Sequence, residues 1–395
     1  MAKDTMKLRS FSIENFRSFY TEQKVEFDLD KNNVDIFVGP NNSGKSNIFH
    51  ALALFKAFIQ KSTAFESQKE QLVPFAFNTE SKSLPITFQA EMEINKHVYY
   101  YKFSYRNEKV VSEVLKRSTS SEKLKYQTIF SRLSMDKSTY SDNGFDSKML
   151  RSTRSDALVL TKAFENNNKY ALEVFEWLKH LKFMSEGMKK SLTAERVSED
   201  SEFKLRVLEL LRRADLYIQD LSSTKSSIPD EIFDQLPVYK AFRSKLDRTT
   251  YDVSTTHLVH DAEGRVVDTK QMPLSTESIG TNRIFELAFP ILDTLDNGYI
   301  FYIDEFETHL HPRECKFLIE LFMSDENTSG AQLVINTHNT QLLDLVGRDS
   351  VHLVGKNSKE ETIIGQISKN VRSDDHLLEK KYSKGMFGAV PNIKS

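Results

Sequence analysis

The sequence predicts an α/β fold, and three observations predict it. The first 115 residues read mainly as strands, the middle of the chain turns helical, and the last third alternates strand, helix and strand. That alternation is the pattern of a mostly parallel sheet with crossover helices. The expected lobes are residues 1–115, a β-rich lobe; 116–250, a mainly helical insertion; and 251–395, a second α/β lobe. Of the 395 residues, 39% are hydrophobic and 28% charged, which suits a folded core rather than a disordered chain. Lys+Arg of 54 against Asp+Glu of 56 leaves a net charge of -2, so any attraction to nucleic acid must come from a local patch. The single cysteine, Cys315, excludes an internal disulfide and a Cys-built zinc site. Without an apolar signal core or a stretch of membrane-spanning length, the expectation is a cytoplasmic protein that makes no membrane contact.

Taken in order, residues 8–13 and 24–29 alternate apolar and polar side chains, and 34–38 is a short apolar run that stops at Gly39. Residues 47–59 carry apolar side chains at helical spacing. Residues 85–94 and 98–105, joined by a turn at 95–97, form a strand pair. Helical patterns cover 157–164, 169–181 and 203–221, the last with Val207, Leu208, Leu211, Ala214, Ile218 and Leu221 on one face. Strands at 251–260 and 265–270 flank a hairpin turn at 261–264. A helix at 281–295, a strand at 299–303, a helix at 312–323, a strand at 332–336 and a β segment at 351–367 complete the reading.

Four places carry chemistry. Gly39, Pro40, Asn41, Asn42, Ser43, Gly44, Lys45 and Ser46 match GxxxxGK[ST] between a buried strand and a helix that opens with Asn47. Successive backbone N–H groups and the helix N-terminus suit phosphates. Lys45 would neutralise the β- and γ-phosphates of ATP, and Ser46 would ligate Mg²⁺. The run at 299–303 delivers Asp304 and Glu305 at a strand's C-terminal end, where open α/β sheets bind ligands. Asp304 would hold the magnesium, and Glu305 would deprotonate the attacking water. A third buried strand ends at His338, suited to the γ-phosphate or that water; a lone histidine there also reads as structural. Ser278 and Gly280 open an apolar helix and read equally as a phosphate-facing helix end or as an ordinary N-cap box.

These pieces, in this order, resemble the ABC-type ATPase heads of the SMC/RecF/OLD group. The opening residues 11–19 resemble the first strand of those heads. Ser278-Ile279-Gly280-Thr281 is similar to their signature motif, with isoleucine for the middle glycine, and residues 307–312 are similar to the D-loop of OLD-like members. Residues 155–158, 166–168, 214–215 and 382–391 resemble the abortive-infection ATPases of the AbiL or RloA type. The resemblance implies an ABC-type P-loop ATPase head in which ATP binds residues 39–46 of one copy and Ser278 and Gly280 of a second copy close over it. It also implies a Q-loop glutamine that meets the metal, for which Gln89 is the candidate beside a plain exposed strand residue, and a nucleotide contact from Arg17.

The function expected is an ATPase switch of a bacterial anti-phage system. It would form a homodimer or a higher oligomer on ATP and control a separately encoded nuclease or toxin, with DNA or a phage protein as trigger. Only residues 339–395 follow His338, too few for a typical nuclease domain, so the cutting activity is expected in another chain. A RecF-like DNA-clamping ATPase and a nucleotide-stabilised scaffold are the alternatives. The basic stretch from Lys116 to Arg154 would suit phosphates, although Glu122, Asp136, Asp142 and Asp146 within it suit a solvated face. His309 and His311 also read as zinc ligands, or else as D-loop packing residues.

Overall fold

A computed structural model describes residues 6–27, 33–62, 70–119, 125–133, 138–140, 145, 147–184, 191–214, 216–227, 249–367 and 378–385. In chain order the elements begin with β1 (Met6–Glu14), β2 (Gln23–Glu26), β3 (Val34–Val38), α1 (Lys45–Lys61), β4 (Ile86–Ile94), β5 (His97–Arg106), β6 (Lys109–Ser118), β7 (Tyr126–Arg132) and β8 (Ser138–Tyr140). Next come α2 (Ser147–Ser152), α3 (Val159–Glu165), α4 (Lys169–His180), β9 (Leu181–Met184), α5 (Ser191–Glu199), α6 (Ser201–Arg213), β10 (Asp220–Ser227), β11 (Thr249–His260) and β12 (Val266–Pro273). The last are α7 (Ile279–Asn297), β13 (Ile300–Ile303), α8 (Pro312–Met323), β14 (Gln332–Thr337), β15 (Val351–Lys356), β16 (Thr362–Gln366) and α9 (Leu378–Ser383).

The chain divides into two compact units. The first comprises Met1–Glu186, Thr294–Glu307 and Leu318–Ser395. It holds an antiparallel sheet ordered β2-β1-β4-β5-β6-β7-β8 and a sheet ordered β16-β15-β3-β14-β13-β9, parallel except for the edge strand β16. Aromatic side chains of α1 reach both sheets. Phe55 meets Phe11 and Phe103 at 5.5 and 5.8 Å between ring centroids, and Phe49 meets Tyr302 of β13 at 6.0 Å. Each such fully buried ring contributes about 1.5–3 kcal/mol by leaving water, so α1 is fixed as the filling of this unit.

In the same unit, Glu113 of β6 is wholly buried. It accepts hydrogen bonds from the Tyr101 hydroxyl at 2.8 Å and from Val159 N and Leu160 N, the open end of α3, at 2.7 and 2.9 Å. Arg132 lies 4.0 Å away and donates to the Ala157 carbonyl. The residues 155–158 singled out in the sequence are therefore held by a buried ion pair. Replacing Glu113 with alanine leaves Arg132 uncompensated and is expected to cost about 3–5 kcal/mol. Urea unfolding checks this, and an unchanged midpoint contradicts it.

Two expectations need correction. The sheet does not stop near residue 115: β6, β7 and β8 extend it to Tyr140. The boundary drawn at 116 therefore falls inside β6, where Val110 and Leu115 are buried by pairing with β5. The helix expected over 203–221 ends at Arg213. Ile218 and Leu221 are still buried, but Leu221 lies in β10 opposite Thr255, because pairing with β11 outweighs the helical period. Among the other sequence readings, Leu29, Glu122, Asp136, Asp142, Asp146, Asp215 and residues 386–391 lie outside the described residues.

The second unit comprises Gly187–Asp293 and Thr308–Phe317. Its antiparallel sheet is ordered β10-β11-β12. Pro290 sits inside α7 and cannot donate to the Glu286 carbonyl. The Thr193 hydroxyl fills the gap, donating to that carbonyl at 3.5 Å and accepting from Phe289 N at 3.2 Å.

Candidate functional site

The register of the parallel sheet sets the site. β14 lies between β3 and β13, with Thr337 opposite Val38 and Ile303 opposite Ile335. The three strands therefore end nearly level, and the next residues of each chain segment emerge on one edge. From that edge come the loop 39–46, the pair Asp304 and Glu305, and His338. Residues 41–47, Asp304, Glu305, Asn336, Thr337 and His338 line a cavity of about 420 Å³, within the usual size of a small-molecule site.

Two glycines make the loop feasible. Gly44 has φ 107°, a left-handed conformation that side chains rarely adopt. A Cβ there would lie 2.2 Å from Thr362 Oγ1. A Cβ on Gly39 would lie 2.0 Å from the Val354 carbonyl. Buried Thr362 clasps the loop from β16: its hydroxyl donates to Ser43 O at 2.7 Å and lies 2.8 Å from Ser18 Oγ, and its N–H donates to Ser18 O at 2.7 Å.

Lys45 is 7% exposed and donates to the carbonyls of Gly39 and Pro40 at 2.8 and 3.0 Å. Burial pushes its pKa down to about 8, although Glu307, Asp304 and Glu305 pull the other way. A bound polyphosphate adds negative charge and raises that pKa, so above about pH 8 binding takes up a proton. Affinity is therefore expected to be flat below about pH 8 and to fall above it. Titration calorimetry near pH 8.5 in buffers of different ionisation enthalpy checks this; a heat that does not change with buffer contradicts it.

His338 Nδ1 stands 3.5 Å from the Lys45 ammonium. With Lys45 charged, Nδ1 is the acceptor and the ring proton sits on Nε2. Ser46 donates to Asp304 Oδ1 at 3.2 Å, and the Asn336 amide donates to the same oxygen at 2.8 Å. Glu305 is exposed, with φ 50°, a turn that swings its carboxylate off the strand line. Asn47 donates to Ser18 Oγ at 2.8 Å.

Two residues at or beside the cavity hold places that the sequence reading does not give them: Asn336 carries no role in it, and Glu307 reads only as the start of a D-loop. Asn336 is 1% exposed and orients Asp304 through its amide, while its Oδ1 has no partner. Glu307 Oε1 accepts the His338 N–H, and its buried Oε2 has no partner. A polar residue ending a buried run was the available signal for Asn336, and an acid two residues past Glu305 was the one for Glu307.

Other expected residues lie elsewhere. Gln89 is not brought to the cavity. The alternation of β4 buries Phe88, Ala90 and Met92 and turns Gln89 to the opposite face, where it accepts from the Tyr100 hydroxyl at 2.8 Å. Arg17 reaches the first turn of α1, with Nη1 3.5 Å from Asn47 Oδ1 and its guanidinium over the Phe16 ring. In the second unit, Ser278 Oγ accepts from Thr281 N at 3.0 Å, so it caps α7, and a Cβ on Gly280 would lie 3.2 Å from the His309 carbonyl. His311 caps α8: its Nδ1 accepts from Arg313 N at 3.2 Å, and Glu314 accepts the His311 N–H at 2.6 Å, a capping box before Pro312. Among the described residues no group of three or more His, Cys, Asp or Glu could hold a metal alone. Asn168 of the 166–168 motif caps α4.

A parallel sheet whose adjacent strand ends carry a GxxxxGK[ST] loop, an acidic pair and a histidine defines an α/β fold of the P-loop class. The chain belongs to the family described as "AAA domain, putative AbiEii toxin, Type IV TA system", whose model matches residues 36–344. It matches none of the curated proteins. Among solved structures it is similar to an SMC head domain from Thermotoga maritima, at 15% identity and a TM-score of 0.41, covering 92% of this chain and 99% of that one. It is also similar to an Smc head bound to the C-terminal winged-helix domain of ScpA, at 12% identity and 0.46, covering 92% and 98%. A third similar structure, derived from Pyrococcus furiosus, is an Smc head with an extended coiled coil bound to the C-terminal domain of ScpA, at 10% and 0.43, covering 97% and 99%. Among the described residues no helix is long and apolar enough to cross a membrane.

Proposed function

We propose that this chain is an ATP-hydrolysing switch of a bacterial defence system, which pairs with a second copy on ATP and controls a separately encoded effector. The observation that carries it is the convergence of Lys45, Ser46, Asp304 and His338 on one cavity. The family description, with its toxin and its toxin–antitoxin system, supports the defence role.

The donor set fits magnesium–ATP. Lys45 presents an ammonium that burial strips of water, Ser43 Oγ is buried without a partner, and Ser46 Oγ with Asp304 Oδ1 offers two hard oxygens 3.2 Å apart. When bound, the nucleotide supplies the phosphoryl group that passes to water. Lys45 would neutralise its phosphate oxygens, and Ser46 and Asp304 would hold the metal. Glu305 takes the proton of the attacking water, and His338 offers Nε2–H to the developing charge. Ser278 and Gly280 of the second copy close the site.

Phosphate release by the purified chain, with and without duplex DNA at two salt concentrations, tests this reading. The expected result is turnover that DNA leaves unchanged. Strong stimulation that fades with salt favours a DNA-clamping ATPase, and the absence of turnover with any effector favours a scaffold.

A further inference from the structure

The second unit carries a hairpin that outruns its sheet. β11 and β12 pair from Ser254↔Pro273 to His260↔Val266, while β10 accompanies β11 only as far as Thr256. Beyond Thr256 the ribbon has two strands, and Leu258, Val259, Val266 and Val267 are 37%, 36%, 56% and 60% exposed. A two-stranded ribbon is marginal in water by itself, and four exposed apolar side chains on it call for cover. β12 also has a free edge, since β11 is its one sheet neighbour among the described residues. Such an edge presents unpaired backbone donors and acceptors to another strand. One of them, Thr269 N–H, is taken by the neighbouring Asp268 Oδ1 at 2.8 Å, so it is not part of the β11 ladder.

We propose that β12 is the pairing edge for β12 of a second copy of this chain, antiparallel about a two-fold axis at Thr269. The strand is self-complementary in that register. Asp268 stands opposite Lys270 of the second copy and Lys270 opposite its Asp268, so both copies gain a carboxylate–ammonium pair. Val267 is the extra residue of a bulge between Val259↔Asp268 and His260↔Val266, so the regular pairing is confined to the stretch from Asp268 onward. Asp268 exchanges the Thr269 N–H for the ammonium, and the freed N–H meets the opposite carbonyl. This contact needs no nucleotide, so it stands or falls separately from the ATP-driven pairing proposed above.

Sedimentation equilibrium of the full chain without nucleotide tests it. The parental protein is expected to self-associate. D268K brings lysine opposite lysine and K270D brings aspartate opposite aspartate, so each variant alone should dissociate about three- to tenfold more readily. An equimolar mixture of the two variants should restore association, because each like-charged edge then meets its opposite. That restoration also shows both variants to be folded. A parental protein that stays monomeric, or a mixture no tighter than either variant alone, overturns the proposal.

Discussion

Replacing Lys45 with alanine is expected to weaken nucleotide binding by at least about a hundredfold, the effect of truncating one partner of a buried charge pair. The same change should leave the fold intact. In the free protein the ammonium is buried among loop carbonyls, and its pKa of about 8 shows that burial already disfavours its charge. Removing it relieves that cost, which offsets the loss of its two hydrogen bonds to the Gly39 and Pro40 carbonyls. Thermal melts separate the two effects. The parental protein should melt higher with Mg-ATP, by mass action on the folded state, and the variant should melt at one temperature with or without it. A nucleotide-dependent shift of parental size in the variant would mean that the phosphates bind elsewhere.

Replacing Glu305 with glutamine should lower turnover by about 10²–10⁴-fold, the usual contribution of a general base, while nucleotide still binds. The substitution keeps the side chain's shape and removes the oxygen that accepts the proton. Because hydrolysis resets the ATP-bound state in this reading, the variant should show an ATP-dependent gain in mass over the same variant without nucleotide, read by light scattering after size-exclusion chromatography. Parental turnover would remove Glu305 from that role. Glu307 would be the next residue to test, since one of its oxygens is buried in the first unit without a partner.

The three strand ends were legible because each is a short, mostly apolar run stopped by a glycine or a polar residue. The bounds of α8 were legible because Pro312 suits the first helical position and apolar spacing persists to Met323. Other features depend on which residues meet across long stretches of chain. β6 and β7 are strands with several charged side chains, among them Lys116 and Arg117, and no local signal separates them from a loop. Leu221 continues a helical period, yet β11 claims it from over thirty residues away, opposite Thr255. Gln89 has the expected place in the order of motifs, but order does not say which face of a strand a side chain occupies. Asn336 gains its role from lying one strand over from Asp304, a matter of register.

The clasp of Thr362 on the phosphate loop ties residues 344 and 319 positions apart, at Ser18 and Ser43. Contacts of such separation are the slowest for a chain to close. During synthesis, a nascent chain still lacking β16 has already released its Gly-rich loop but has nothing to hold it in shape. Competence to take up nucleotide is therefore expected only once residue 362 has left the ribosome, and a chain cut short before it is expected to bind none.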